Sequence, residues 1–161
     1  MNVNLANPAT TKCKRILLAD DDQTVRESLS NLLVTEGYDV TSAEHGQRAV
    51  ELAAQEEFDL VLLDLNMPVK NGWDTYGQLI LDHPLIPIII VTARPNQLFT
   101  AVSAGVGALL EKPLDIPMLL HAIKRLLAES AEEQLARLVG HKAEFYYVAA
   151  PDKSPQTSPR N

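Results

Sequence analysis

Cysteine occurs once, at Cys13, so the sequence holds no disulfide framework and no CxxC-type metal site. Basic charge is scarce: 14 Lys and Arg stand against 21 Asp and Glu, a net charge of −7, with −6 of it in residues 1–128. No stretch presents the basic face that contact with a phosphate backbone requires, which argues against direct nucleic-acid binding. Long apolar runs are missing as well. The longest, Leu85 to Val91, is broken by Pro87 and falls far short of the ~20 residues of a membrane span. The opening residues, MNVNLANPATTKC, lack the apolar centre of a secretion signal. What is present suits a soluble cytoplasmic protein: 161 residues, 46% of them hydrophobic, enough for one domain with a real core.

Two periods alternate along the chain. Short apolar runs read as strands: Ile16 to Ala19, Tyr38 to Ser42, Leu60 to Leu63, Ile86 to Val91 and Ala108 to Leu110. Between them lie helical patterns, at Val25 to Leu33, Gln47 to Glu56, Trp73 to Asp82 and Asn96 to Ala104, with a last one from Asp115. Five such units in a row predict an α/β domain, a doubly wound parallel sheet with helices on both faces. The last helical pattern runs on through Ala131, Leu135 and Leu138, which predicts an extended C-terminal helix reaching about Val139. Residues 1–13 read as an arm, 14–128 as the domain, 129–139 as the helix extension and 140–161 as a tail. That tail is expected to be disordered from residue 151, where PDKSPQTSPRN has nothing to bury.

Ligands of an open parallel sheet sit beyond the carboxyl ends of its strands. There the first run ends in Asp20 and Asp21, the third in Asp64, the fourth in Thr92, and the fifth leads into Lys112. Taken singly, each has a plain explanation. Asp22 reads as a helix N-cap, Asp20-Asp21 as a solvated turn, Thr92 as an end-of-strand residue and Lys112 as an extended residue before Pro113. Their joint placement at one sheet edge argues for more. Three converging carboxylates repel one another and call for a cation; oxygen ligands without His or Cys suit Mg²⁺. A lysine and a threonine hydroxyl opposite would help to hold a phosphoryl group carried by one of the carboxylates, since phosphoryl transfer needs mainly positioning and charge neutralisation.

These motifs resemble the receiver domain of two-component response regulators, the chemotaxis-regulator-like family. ILLADDD matches its first strand and acidic pair, LLDLNMPVKNG its phosphorylation loop, IIIVTA its fourth strand and LLEKPL its fifth strand with the lysine. The likeness covers about residues 14–128 and implies a flavodoxin-like five-stranded sheet of order 2-1-3-4-5. It implies Asp64 as phosphoacceptor and Mg²⁺ held by Asp20, Asp21, Asp64 and the backbone carbonyl of Asn66. Thr92 and Lys112 would contact the phosphoryl group, and Lys112-Pro113 would be a cis peptide. Thr92 also belongs to the family's conformational switch, together with an aromatic residue three positions before the lysine. Here that position is Leu109, a departure. Asn66, Ala93 and Arg94 match positions that modulate the rates of phosphorylation and hydrolysis.

The resemblance implies a histidine kinase or histidine phosphotransfer protein as phosphodonor, and an unnamed downstream protein reached by protein–protein contact. With only 33 residues after Ala128, the chain is read as a stand-alone receiver, and residues 129–148 are expected to form a partner or homodimer contact. It would act on itself alone, catalysing its own phosphorylation and slow dephosphorylation. The rival readings are a phosphorylation-independent interaction module and a metal-dependent phosphohydrolase. The latter usually needs a second carboxylate two residues after the nucleophile, where this chain has Asn66. A flavin binder of the same fold is disfavoured because Asp20-Asp21-Asp22 would repel a phosphate.

Overall fold

The computed structural model describes residues 12–140 and 145–151. Most of the expected N-terminal arm, and the expected disordered tail beyond residue 151, lie outside the described residues. The strands are β1 (Arg15–Ala19), β2 (Asp39–Ala43), β3 (Leu60–Asp64), β4 (Ile88–Thr92), β5 (Ala108–Glu111) and β6 (Tyr146–Val148). The helices are α1 (Gln23–Thr35), α2 (Gly46–Gln55), α3 (Gly72–Asp82), α4 (Leu98–Ala104), α5 (Ile116–Ala128) and α6 (Ala131–Leu138). All strands are parallel, in the order β2-β1-β3-β4-β5-β6. The expected order 2-1-3-4-5 is therefore present with a sixth strand added at the β5 edge.

The apolar runs are continuous because the pleat sends alternate side chains into two separate cores. Leu17, Val61, Leu63, Ile88, Ile90 and Leu109 meet α2, α3 and α4 on one face. Ile16, Leu18, Leu60, Leu62, Ile89, Val91 and Leu110 meet α1 and α5 on the other. Helix starts follow from local chemistry: the side chains of Asp22, Asn71 and Asp115 accept hydrogen bonds from Val25, Trp73 and Met118 amides. The predicted start of α4 at Asn96 is two residues early, because Asn96 takes a left-handed conformation (φ 60°) and the helix begins at Leu98. Gly72 pins the loop after β3: a Cβ there would lie 2.3 Å from Leu65 Cα, so any side chain would push the loop away from the strand end.

The C-terminal region differs from the sequence expectation in three ways. The helix is not continuous to Val139; it stops at Ala128, and Glu129 turns extended (φ −63°, ψ 141°). Ser130 then caps a new helix through a capping box, its hydroxyl accepting from the Glu133 amide while the Glu133 carboxylate accepts from the Ser130 amide. The break lets α6 fold back, and this changes which of its faces is inward. Ala131 and Leu135 are exposed, whereas Arg137 is buried and paired with Glu129 at 2.6 Å. Arg137 and Leu138 pack against Gly105, where a Cβ would meet Arg137 O and Leu138 Cα at 3.2 Å. Lastly, Tyr146–Val148, placed in the tail, form β6 in register with Ala108–Leu110. Tyr146 and Val148 join one core and Phe145 the other. Within the segment expected to form a partner or homodimer contact, α6 and β6 pack on their own domain.

Candidate functional site

Each acid takes its place from a strand end. β1 delivers Asp20 and β3 ends in Asp64, leaving them 2% and 4% exposed, while Asp21 lies in solvent. Carboxylate oxygens of Asp20, Asp21 and Asp64 all lie within 4.8 Å of one another. Lys112, the residue after β5, reaches across: its ammonium donates to Asp20 Oδ2 at 2.9 Å and Asp64 Oδ2 at 3.2 Å. The remaining oxygens are held by main chain. Asp20 Oδ1 accepts from the Asp22 amide and Asp64 Oδ1 from the Asn66 amide, each at 2.9 Å.

The electrostatics follow from this geometry. Burial pushes the Asp64 carboxyl above the ordinary carboxylate range; the Asn66 amide and Lys112 oppose that rise, and nearby Asp20 adds to it. For Lys112 burial works against the charge, but the hydrogen bonds and attraction of Asp20 and Asp64 outweigh it, so its pKa lies above the usual lysine value. The ammonium is firmly charged where it stands.

Thr92 ends β4, fully buried, and its hydroxyl accepts from the Arg94 amide at 2.9 Å. The Arg94 guanidinium donates to Asn66 Oδ1 at 3.3 Å, so these two residues span the mouth of the crevice, with Ala93 exposed between Thr92 and Arg94. The Lys112-Pro113 peptide is cis. Leu109 is not at the crevice: it is fully buried in the core face that includes Ile90, Ala101 and Val106. Sequence reasoning overlooked Arg26, whose guanidinium donates to the Asp20 carbonyl at 2.7 Å. A cation one turn into the helix that follows an acidic triplet is the signal that could have found it. It also overlooked Glu111, whose carboxylate accepts from the Tyr147 hydroxyl and the Ala150 amide at the C-terminal strand.

The donor set fits a hard divalent cation. It is all oxygen, two of its three carboxylates are buried, and a single lysine ammonium contacts two of them directly, which leaves negative charge uncompensated.

Comparison with known proteins decides the family. The family described as "Response regulator receiver domain" matches residues 16–124. The chain belongs to this family. It is 36% identical over 133 residues to the transcriptional regulatory protein PdtaR of Mycobacterium tuberculosis, covering 81% of this chain and 63% of that one. Among solved structures, a CheY-like receiver domain protein from Methanospirillum hungatei superposes with a TM-score of 0.69 at 30% identity, over 76% of this chain and 97% of that one. The response regulator TrrA of Thermotoga maritima, solved in complex with Mg²⁺-BeF, gives a TM-score of 0.66 at 31% identity, over 70% of this chain and 98% of that one. This receiver chain spans between half and two thirds of the length of the curated relatives it matches. Among its described residues, no helix is long and apolar enough to cross a membrane.

Proposed function

We propose that this receiver accepts a phosphoryl group on Asp64 from a histidine kinase or histidine phosphotransfer protein and signals by protein–protein contact in the cytoplasm. The observation that carries the reading is the single ammonium of Lys112, shared between Asp20 and Asp64 in a crevice where a third carboxylate stands within 4.8 Å. Asp20, Asp21, Asp64 and the Asn66 carbonyl would hold Mg²⁺, which when bound neutralises charge on the phosphoryl oxygens. The protein's own groups do the rest. The Asn66 amide fixes Asp64 Oδ1, and Lys112 holds Oδ2 until the phosphoryl oxygens compete for it. A carboxylate oxygen of Asp64 attacks phosphorus, the N–P bond of the donor phosphohistidine breaks, and an acyl phosphate forms. Thr92 and Lys112 then contact the phosphoryl oxygens.

Water later attacks the acyl phosphate, so this protein catalyses only its own phosphorylation and slow dephosphorylation. Arg94, Asn66 and Ala93 set how readily that water enters, with the Arg94–Asn66 contact partly closing the mouth. Leu109 has no ring to swing, so output runs through Thr92 and the β4–α4 region rather than through an aromatic rotamer. A small-molecule phosphohydrolase is the weaker reading, because the residue two beyond Asp64 is Asn66, an amide without acid–base capacity.

Incubation with acetyl phosphate and Mg²⁺ tests the proposal. Wild type should take up one phosphoryl group per chain by intact-mass analysis. Asp64→Asn should take up none while retaining its far-UV circular dichroism. Stoichiometric labelling of Asp64→Asn at the wild-type rate would remove Asp64 from its assigned role.

A further inference from the structure

The end of β5 is held from both sides. On the inner side the Lys112 amide donates to the Thr92 carbonyl of β4 at 2.8 Å. On the outer side stands β6, in register from Tyr146 to Val148, and beyond that register the Glu111 carboxylate acts as a staple. One oxygen of Glu111 accepts from the Tyr147 hydroxyl at 2.9 Å and the other from the Ala150 amide at 3.1 Å. Tyr147 is correspondingly held above the ordinary phenol pKa by its hydrogen bond to Glu111. The base of the strap is fixed as well: the ring of Tyr146 lies under the Arg125 guanidinium, 5.4 Å from its centroid, and against His121 of α5.

Glu111 and Lys112 are joined by one planar peptide, so displacement of one is passed directly to the other. Glu111 is also the acid next to Lys112 in sequence, and the strap's hydroxyl and amide commit its carboxylate away from the ammonium. We propose that Glu111, anchored by β6, is a positioning residue for Lys112: the C-terminal strand holds the ammonium at the phosphoryl site. The inference rests on the phosphoacceptor reading of Asp64. It gives β6 a role in positioning Lys112.

The test measures labelling rate against acetyl phosphate concentration at saturating Mg²⁺, in the full chain, below the melting temperature of every variant. Glu111→Ala loses both hydrogen bonds and should lower the maximal rate about three- to tenfold. Tyr147→Phe loses one and should lower it about two- to threefold, since only part of what each bond contributes is felt at Lys112. Glu111→Gln, whose carbonyl still accepts one bond, should fall between Glu111→Ala and wild type. The Mg²⁺ midpoint should not move in any of them. A strap that merely stabilises the fold would lower the melting temperature and leave the rate unchanged, and that result would overturn the inference. Should Glu111→Ala fail to fold, Tyr147→Phe decides, since it deletes one hydroxyl from a partly exposed ring. Failure of wild type to label would overturn the acceptor reading and this inference together. Normal wild-type labelling with unchanged variant rates would overturn the inference alone.

Discussion

At the carboxyl ends of the strands, three carboxylates crowd together and Lys112 contacts two of them. Near the opposite ends, where the chain enters β4 and β5, Arg137 and Glu129 meet one to one at 2.6 Å, with 7% and 17% of their side chains exposed. Both regions bury charge, but in different proportions. The one-to-one pair is balanced in charge, though Glu129 Oε2 and Arg137 Nε are buried without a hydrogen-bond partner, and it ties α6 to the end of α5. The acidic crevice carries three carboxylates against the one ammonium that contacts them, an excess of negative charge that a bound cation would offset. Under the proposed reading, unequal buried charge goes with chemistry here and equal buried charge with architecture.

Removing one partner should separate the two regions most sharply. Arg137→Ala leaves Glu129 buried without its counter-charge and should destabilise the fold by about 3 kcal/mol, the lower end for a buried pair because Glu129 keeps some solvent contact. The double replacement Glu129→Leu with Arg137→Met should restore most of that loss, since apolar side chains of similar size suit the same space. Urea denaturation measures both. A loss under about 0.5 kcal/mol for Arg137→Ala would show a surface-like pair and break the contrast.

The second effect should appear only at the acidic end. Mg²⁺ that binds the folded state stabilises it in proportion to saturation, by about 2.7 kcal/mol at one hundred times its dissociation constant. Asp21→Ala should abolish the rise in melting temperature with Mg²⁺, whereas the Glu129→Leu, Arg137→Met double variant should keep it. A Mg²⁺ response preserved in Asp21→Ala would place the cation elsewhere.

The two regions were also unequally legible in the sequence. Asp20, Asp64 and Thr92 stand out because each follows an apolar run buried on both faces, and Lys112 because it stands just beyond another, so strand ends and polar residues coincide. The C-terminal region lacks that clarity. Leu127, Ala131, Leu135 and Leu138 keep helical spacing across the break at Glu129, and that period masks the Ser130–Glu133 capping box. The box was nonetheless written in the sequence as Ser-x-x-Glu. β6 was harder: three residues are too few for a period, and Tyr146–Val148 become a strand only because β5 offers an open edge. Burial of Arg137 depends on Glu129, eight residues away across a turn that sequence reasoning had drawn as continuous helix. Glu111 likewise gains its contacts from Tyr147 and Ala150, far along the chain.

The smallest effect is a pH dependence, and it sharpens the contrast. The folded-state pKa of Asp64 is raised, chiefly by burial. The native protein therefore holds that proton more tightly than the unfolded chain. Native stability then falls as pH rises from the ordinary carboxylate value, about 4, through the raised one, and the whole cost is present above both. Asp64→Asn cannot ionise and escapes this cost, while Lys112 keeps Asp20 as a partner at 2.9 Å. Measured without Mg²⁺, the variant should be more stable than wild type at neutral pH. The advantage should shrink as pH falls and vanish once Asp64 is protonated in both states of the wild type. Thermal melts from pH 7 down to about 3, below the ordinary carboxylate value, in chelator test this directly. An advantage that grew toward acid would mean that Asp64 is stabilised as a carboxylate by its surroundings, and the crevice would then resemble the Arg137–Glu129 pair instead of opposing it.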